Sequence, residues 1–167
     1  MEKKKTTKLL VVSDTHGRTK NLDRLLPLVK PVDYLLHLGD VGNDVAYIEA
    51  AAECPCCFVA GNNDYFSGLP KERVVKIAGK TIFMTHGHNY YVNAHKGLLK
   101  KIAAERGASI VLFGHTHVPY LEEEDGIVLA NPGSLSLPRQ ADHLPTYLLI
   151  TIAEDGEVAY EPCSIKP

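Results

Sequence analysis

Five short apolar runs, each followed within two residues by glycine or by a residue able to bind metal, constrain this chain more than any other feature. They lie at residues 9–12, 34–38, 56–60, 81–84 and 110–113. A brief continuous apolar run reads as a strand covered on both faces, the kind found inside parallel sheets. Between the first three runs lie helical signals. Leu22, Leu25, Leu26 and Val29 recur at helical spacing with Pro31 as a stop, and an alanine-rich stretch predicts a helix over 44–53. Strand, helix, strand, helix, strand implies a parallel sheet, whose polar loops open together beyond the carboxyl ends of the strands.

The later half changes character. Runs 73–77 and 81–84 flank Ala78-Gly79-Lys80, a hairpin signal. A helix over about 94–106, closed by Gly107, leads to the fifth run. Two further hairpins turn at Gly126 and at Glu154-Asp155-Gly156. The pattern predicts two sheets face to face with helices outside, in a single domain over residues 1–167.

At 167 residues, 45% of them hydrophobic, the chain can bury a substantial core. A net charge of -2 gives no electrostatic basis for binding extended nucleic acid. Lys3-Lys4-Lys5 reads as a solvated start, and the apolar run behind it is too brief for a signal peptide. No run approaches the roughly 20 apolar residues of a membrane span. A cytoplasmic enzyme is the expectation, with homo-oligomer formation left open. Cys54, Cys56 and Cys57 contain a C-x-x-C spacing but no second pair, so they read as small hydrophobes of a buried strand.

The run ends carry the chemistry: Asp14 and His16, Asp40, Asn62, His86, then His115 and His117. Singly, each has an ordinary explanation. Asp14 or Asp40 could cap a helix, Asn62 could shape a turn, and His86 could be a hydrogen-bonded core residue. His115 and His117 alone could be surface histidines, although an extended loop would point both the same way. Jointly, two carboxylates, an amide and four imidazoles exceed what one ion needs. The mixture of oxygen and nitrogen donors suits two divalent ions about 3.5–4 Å apart, with Asp40 as the candidate bridge.

In order along the chain, Asp-x-His, Gly-Asp, Gly-Asn-x-Asp, His-Gly-His and Gly-His-Thr-His resemble the motifs of calcineurin-like metallophosphoesterases. More narrowly, they resemble the small bacterial and archaeal YfcE/MJ0936-type phosphodiesterase branch, a likeness that extends to Asn131-Pro132-Gly133-Ser134. The resemblance implies a four-layer α/β/β/α sandwich of two mixed sheets flanked by helices. It implies one ion on Asp14, His16, Asp40 and His117, and another on Asp40, Asn62, His86 and His115. Manganese is the expected metal, with iron, zinc, nickel or cobalt as alternatives.

The implied reaction is hydrolysis of a small phosphodiester, with metal-bound hydroxide attacking phosphorus. Many relatives carry histidine where this chain has Asn63. An amide donates hydrogen bonds but supplies no proton at neutral pH, so Asn63 and the spare imidazole of His88 are the candidate catalytic groups. His37 reads as structural, His95 and His143 carry no special signal, and Arg139 reads as a surface residue or a phosphate grip. Competing readings are a protein-binding scaffold of the same fold and a nuclease or nucleotide phosphatase of the same superfamily. A eukaryotic sorting-complex subunit resembles this fold with part of its site lost, whereas all seven ligand positions are filled here.

Overall fold

The computed structural model describes residues 5–167; Lys3 and Lys4 of the basic cluster lie outside the described residues. The first sheet contains β1 (Thr6–Val12), β2 (Tyr34–His37), β3 (Cys56–Phe58), β9 (Thr146–Ala153) and β10 (Val158–Ser164), in the order β10-β9-β1-β2-β3. The second contains β4 (Glu72–Ile77), β5 (Lys80–Thr85), β6 (Ile110–Leu112), β7 (Tyr120–Glu124) and β8 (Ile127–Asn131), in the order β4-β5-β6-β8-β7. β1, β2 and β3 run parallel, as do β5, β6 and β8, while the outer hairpin partners are antiparallel. Both sheets are therefore mixed. Three α-helices among the described residues complete the fold: α1 (Lys20–Val29), α2 (Val45–Ala52) and α3 (Gly97–Glu105).

Alternation along the strands sets the layers, because successive side chains point to opposite faces. Leu10 and Val12 of β1 face Leu22, Leu25, Leu26 and Val29 of α1 and Ile48 of α2. Leu9 and Val11 face inward, against Ile82 and Met84 of β5 and Ile110 and Leu112 of β6. On the far side, Phe83, Val111 and Leu129 receive Leu99 and Ala103 of α3. The result is helices, sheet, sheet, helix: the four-layer sandwich.

Local chemistry accounts for the departures from the expected boundaries. α1 runs through Pro27, whose missing N–H costs up to about 3 kcal/mol. Four buried apolar side chains on the same helix, at roughly 1.5–3 kcal/mol each, outweigh it. α3 starts at Gly97 rather than near residue 94 because a 3-10 turn (His88–Tyr90) and a left-handed Tyr91 (φ 56) take up the approach. The cysteines are half-buried free thiols rather than fully buried ones. Cys54 and Cys56 still pack on the helical side of the first sheet, and burial pushes the Cys56 thiol up to about 12. That excludes it as a nucleophile near neutrality.

Three hairpin turns, Ala78-Gly79, Asp125-Gly126 and the turn at Gly156, lie at the end of the sandwich where β1, β5 and β6 begin. The opposite end collects the carboxyl tips of β1, β2, β3, β5 and β6.

Candidate metal centre

Backbone hydrogen bonds continue past the strands and tie the tips together. Asp14 N–H donates to Gly39 O (3.0 Å) and His16 N–H to Asp40 O (2.8 Å), while Gly114 N–H donates to His86 O (3.0 Å). The two sheets meet where the His86 Nδ1–H donates to the Leu38 carbonyl (2.7 Å) and the His115 N–H donates to Asp14 Oδ2 (3.2 Å). Asp14, His16, Asp40, His115 and His117 all have left-handed backbone, with φ between 51° and 70°. Such conformations cost about 1 kcal/mol or more apiece in non-glycine residues and gather at functional sites. The expected extended His115-Thr116-His117 loop does not form. Left-handed turns at both histidines instead send His115 toward Asn62 and His86, and His117 toward His16 and Asp14.

Two glycines have no room for a side chain. A Cβ at Gly61 would lie 2.1 Å from Asp40 Oδ1, and one at Gly114 would lie 2.2 Å from Ser13 Oγ and 2.9 Å from Asp14 Oδ2. The carboxylates pack directly against bare backbone.

All seven expected ligand residues come together. One atom from each of Asp14, His16, Asp40 and His117 lies within 4.8 Å of the others. His86 Nε2 is 3.5 Å from Asp40 Oδ2 and 3.7 Å from Asp14 Oδ1, and His115 Nδ1 is 3.2 Å from Asn62 Oδ1. Asp14 and Asp40 each lie within 3.7 Å of both His16 and His86. The Leu38 and Leu137 carbonyls fix the protons of His86 and His117 on Nδ1 and turn their Nε2 atoms inward.

The donors fit divalent cations. Asp14 Oδ1 and His86 Nε2 are buried without hydrogen-bond partners. His117 Nε2 lies 3.1 Å from Asp14 Oδ1 without a hydrogen bond between them. His16 Nε2 and His117 Nε2 face each other at 3.3 Å. Nitrogen lone pairs and carboxylate oxygens converging in a buried space are costly unless a cation or proton lies among them. Burial would raise the Asp14 carboxyl, but His117, His16, His86 and the Ser13 hydroxyl outweigh it and hold it well below the usual range. Asp40 is drawn down to about 2, since His86 and two donors from Asn63 overcome its burial. His16 is raised by Asp14, and His86 is raised against its burial by Asp40 and Asp14.

Asn63 points at Asp40. Its backbone N–H donates to Oδ1 (2.8 Å) and its side-chain amide to Oδ2 (2.9 Å). His88 stands at the rim, half-buried, with Nδ1 unpartnered and its ring centroid 5.5 Å from His86 and 6.0 Å from His115. Burial and the charge of His86 lower its pKa, and the same causes lower His115. His37 is wholly buried: Nδ1 accepts from Gly39 N–H (3.1 Å), so Nε2–H donates to Thr15 Oγ1 (3.0 Å). Burial drives it down to about 4 and keeps it neutral. Arg139 is exposed and contributes its backbone N–H to His117 O (3.0 Å).

Three residues given no role from sequence brace the centre. Asp64 accepts from the N–H groups of Gly61 (2.9 Å), Gly42 (3.1 Å) and Val41 (3.2 Å), joining two ligand loops. The Asn131 amide donates to Gly114 O (3.0 Å) and Thr116 Oγ1 (2.9 Å), and Ser134 Oγ–H donates to Asp14 O (2.7 Å). The signal was present in Gly-Asn-x-Asp and Asn-Pro-Gly-Ser, which place short polar side chains beside turn-forming glycines.

A buried carboxylate and imidazole cluster at the shared tips of two packed sheets defines a metal-binding α/β/β/α sandwich. The chain belongs to the calcineurin-like phosphoesterase superfamily, whose domain model matches residues 7–155. It is 32% identical over 152 residues to a "probable metallophosphoesterase" of Methanothermobacter thermautotrophicus, covering 88% of this chain and 86% of that one. Against phosphodiesterase YfcE of Escherichia coli the identity is 28% over 156 residues, covering 79% and 81%. Among solved structures, vacuolar protein sorting 29 of Cryptosporidium parvum superposes with a TM-score of 0.75 at 20% identity, covering 96% of this chain and 99% of that one. That last likeness shows the fold alone.

Proposed function

We propose that this protein hydrolyses small phosphodiesters with two divalent cations, manganese foremost, held by Asp14, His16, Asp40, Asn62, His86, His115 and His117. The observation that carries this reading is the unpartnered pair, Asp14 Oδ1 and His86 Nε2, buried 3.7 Å apart inside a ring of further donors. When bound, such cations supply an acidified water and neutralise charge on phosphate oxygens.

The chain's own groups do the rest. Asp40 is the shared carboxylate, and Asn63 holds both of its oxygens in place. The Asn63 amide, committed to Asp40, acts as a positioning group rather than a donor to the leaving oxygen. His88 is the proposed proton donor, because its ring stands beside His86 and His115 and its buried Nδ1 has no competing partner. Its lowered pKa makes it a ready donor once charged. Replacing His88 by alanine is expected to slow diesters with poor leaving groups more than activated ones; equal slowing of both removes this role.

The protein scaffold reading draws on the likeness to vacuolar protein sorting 29, which extends no further than fold. Metal analysis of untreated protein, combined with a panel of phosphate mono- and diesters, decides between them. Two cations per chain and turnover of diesters are expected. Metal-loaded protein that cleaves no ester yet holds a stable partner would establish the scaffold. Turnover of nucleoside monophosphates or polynucleotides in preference to small diesters would move the reading to a nucleotidase or nuclease. No helix among the described residues is long and apolar enough to cross a membrane. The cytoplasm is the proposed location.

A further inference from the structure

The loop of residues 61–64 forms a ridge with a different cleft on each side. One cleft, of about 210 Å³, is lined by His16, Asp40, Gly42, Asn63 and Asp64. The other is twice as large, about 430 Å³, within the roughly 300–1,000 Å³ range of ligand sites. Its inner wall is Asn62 and His88, so it opens directly from the metal centre. Its outer wall carries two consecutive aromatic side chains, Tyr65 and Phe66, and its single lysine or arginine is Lys71.

These aromatics do not belong to the core. Tyr65 is 77% exposed and Phe66 fully so, which forfeits the burial that normally makes such side chains useful to a fold. Phe66 also has left-handed backbone (φ 61), which is costly for a bulky residue. Solvent exposure and strain together leave the pair without a stabilising role in the folded chain. Flat faces beside a cleft are what a planar ligand group stacks on.

We propose that this larger cleft is a subsite for one ester arm of the substrate, selecting a planar aromatic arm over a small aliphatic one. Tyr65 and Phe66 stack on that arm, and Lys71 favours an arm carrying further negative charge. The narrower cleft receives the smaller arm. The substrate class is thus an unsymmetrical phosphodiester with one aromatic side, a refinement that rests on the phosphodiesterase reading above.

The test uses binding, so that it does not depend on turnover. Phenylphosphonate and methylphosphonate are titrated calorimetrically into manganese-loaded full-length protein, with bound manganese measured in the same samples. Phenylphosphonate is expected to bind about tenfold more tightly, within the range of a single aromatic stack. In the double variant Tyr65→Ala/Phe66→Ala that ratio is expected to fall to within about twofold of unity. Both side chains are on the surface, and retained manganese and circular dichroism verify the variant's fold. Equal affinities in the unsubstituted protein, or a ratio that survives the double substitution, overturn the subsite. A protein-docking role for these aromatics would give that same null ratio. Diester turnover with equal affinities removes the subsite and leaves the phosphodiesterase reading standing. A tenfold preference without diester turnover does the reverse.

Discussion

Gly61→Ala isolates the dependence of the centre on one missing side chain. The backbone at Gly61 is not left-handed, so alanine meets no conformational penalty there, and the effect is purely one of contact. Its Cβ would sit 2.1 Å from Asp40 Oδ1, 2.3 Å from Asp40 N and 2.7 Å from Asp40 Cγ. A comfortable separation is about 3.5 Å, so the Asp40 side chain or the loop has to retreat by more than about 1 Å. Overpacking of this kind costs typically 1–3 kcal/mol. The retreat also strains two charge-assisted hydrogen bonds from Asn63, each worth about 1.5–3 kcal/mol. A total loss of about 2–4 kcal/mol allows for partial relaxation. Displacing a shared ligand by about 1 Å is expected to reduce diester turnover about 100-fold. Urea unfolding and manganese titration read the two effects separately. Gly97→Ala is the control, since its Cβ would meet only His95 Nδ1 at 3.8 Å and enters the first turn of α3. Near-normal stability and manganese affinity in Gly61→Ala would refute the claim that bare backbone positions Asp40.

Three other substitutions test separate parts of the centre. Asp40→Asn is expected to abolish turnover and to weaken both cations together, so metal analysis finding two retained ions with a near-normal rate removes Asp40 as the bridge. Asp64→Ala strips an acceptor from three backbone N–H groups and is expected to cost about 3 kcal/mol, read by urea unfolding; a change below about 1 kcal/mol would show that water replaces it. His37 titrates at 6.5 when unfolded and at about 4 when folded, so the unfolded chain takes up the proton first and stability falls on acidification. That contribution is complete above pH 6.5 and is lost as pH falls through about 4, so the native protein should lose roughly 3 kcal/mol more than His37→Asn over this window. Parallel pH profiles for the two proteins would show that His37 is not held neutral.

Much of this architecture was legible because its signals are local. Leu22, Leu25, Leu26 and Val29 face one layer by helical period alone, and Leu9 to Val12 alternate between two cores as any strand must. Ala78-Gly79 turns with both φ values positive, as a tight hairpin demands. The seven converging side chains were readable by chemical type, since few structural needs put carboxylates and imidazoles at successive strand ends. What stayed hidden depends on distant partners. Nothing in His115-Thr116-His117 announces that both histidines adopt left-handed backbone, because Asn131 and Leu137 impose it from elsewhere in the chain. Asp64 reads as a turn residue until the loop of Val41 and Gly42 is laid beside it. That the Asn63 amide donates to Asp40 is likewise invisible until the two loops are laid together.

The three hairpin turns at the far end have a practical meaning of their own. Gly79 and Gly126 have no heavy atom within 4 Å of where a Cβ would stand, and the candidate metal centre with its bracing contacts lies at the other pole. A polypeptide spliced into either turn, or new termini cut there, is expected to change the mass and companions of the molecule without disturbing the donor cluster. Such a molecule has one pole committed to its cluster of buried donors and another available for attachment.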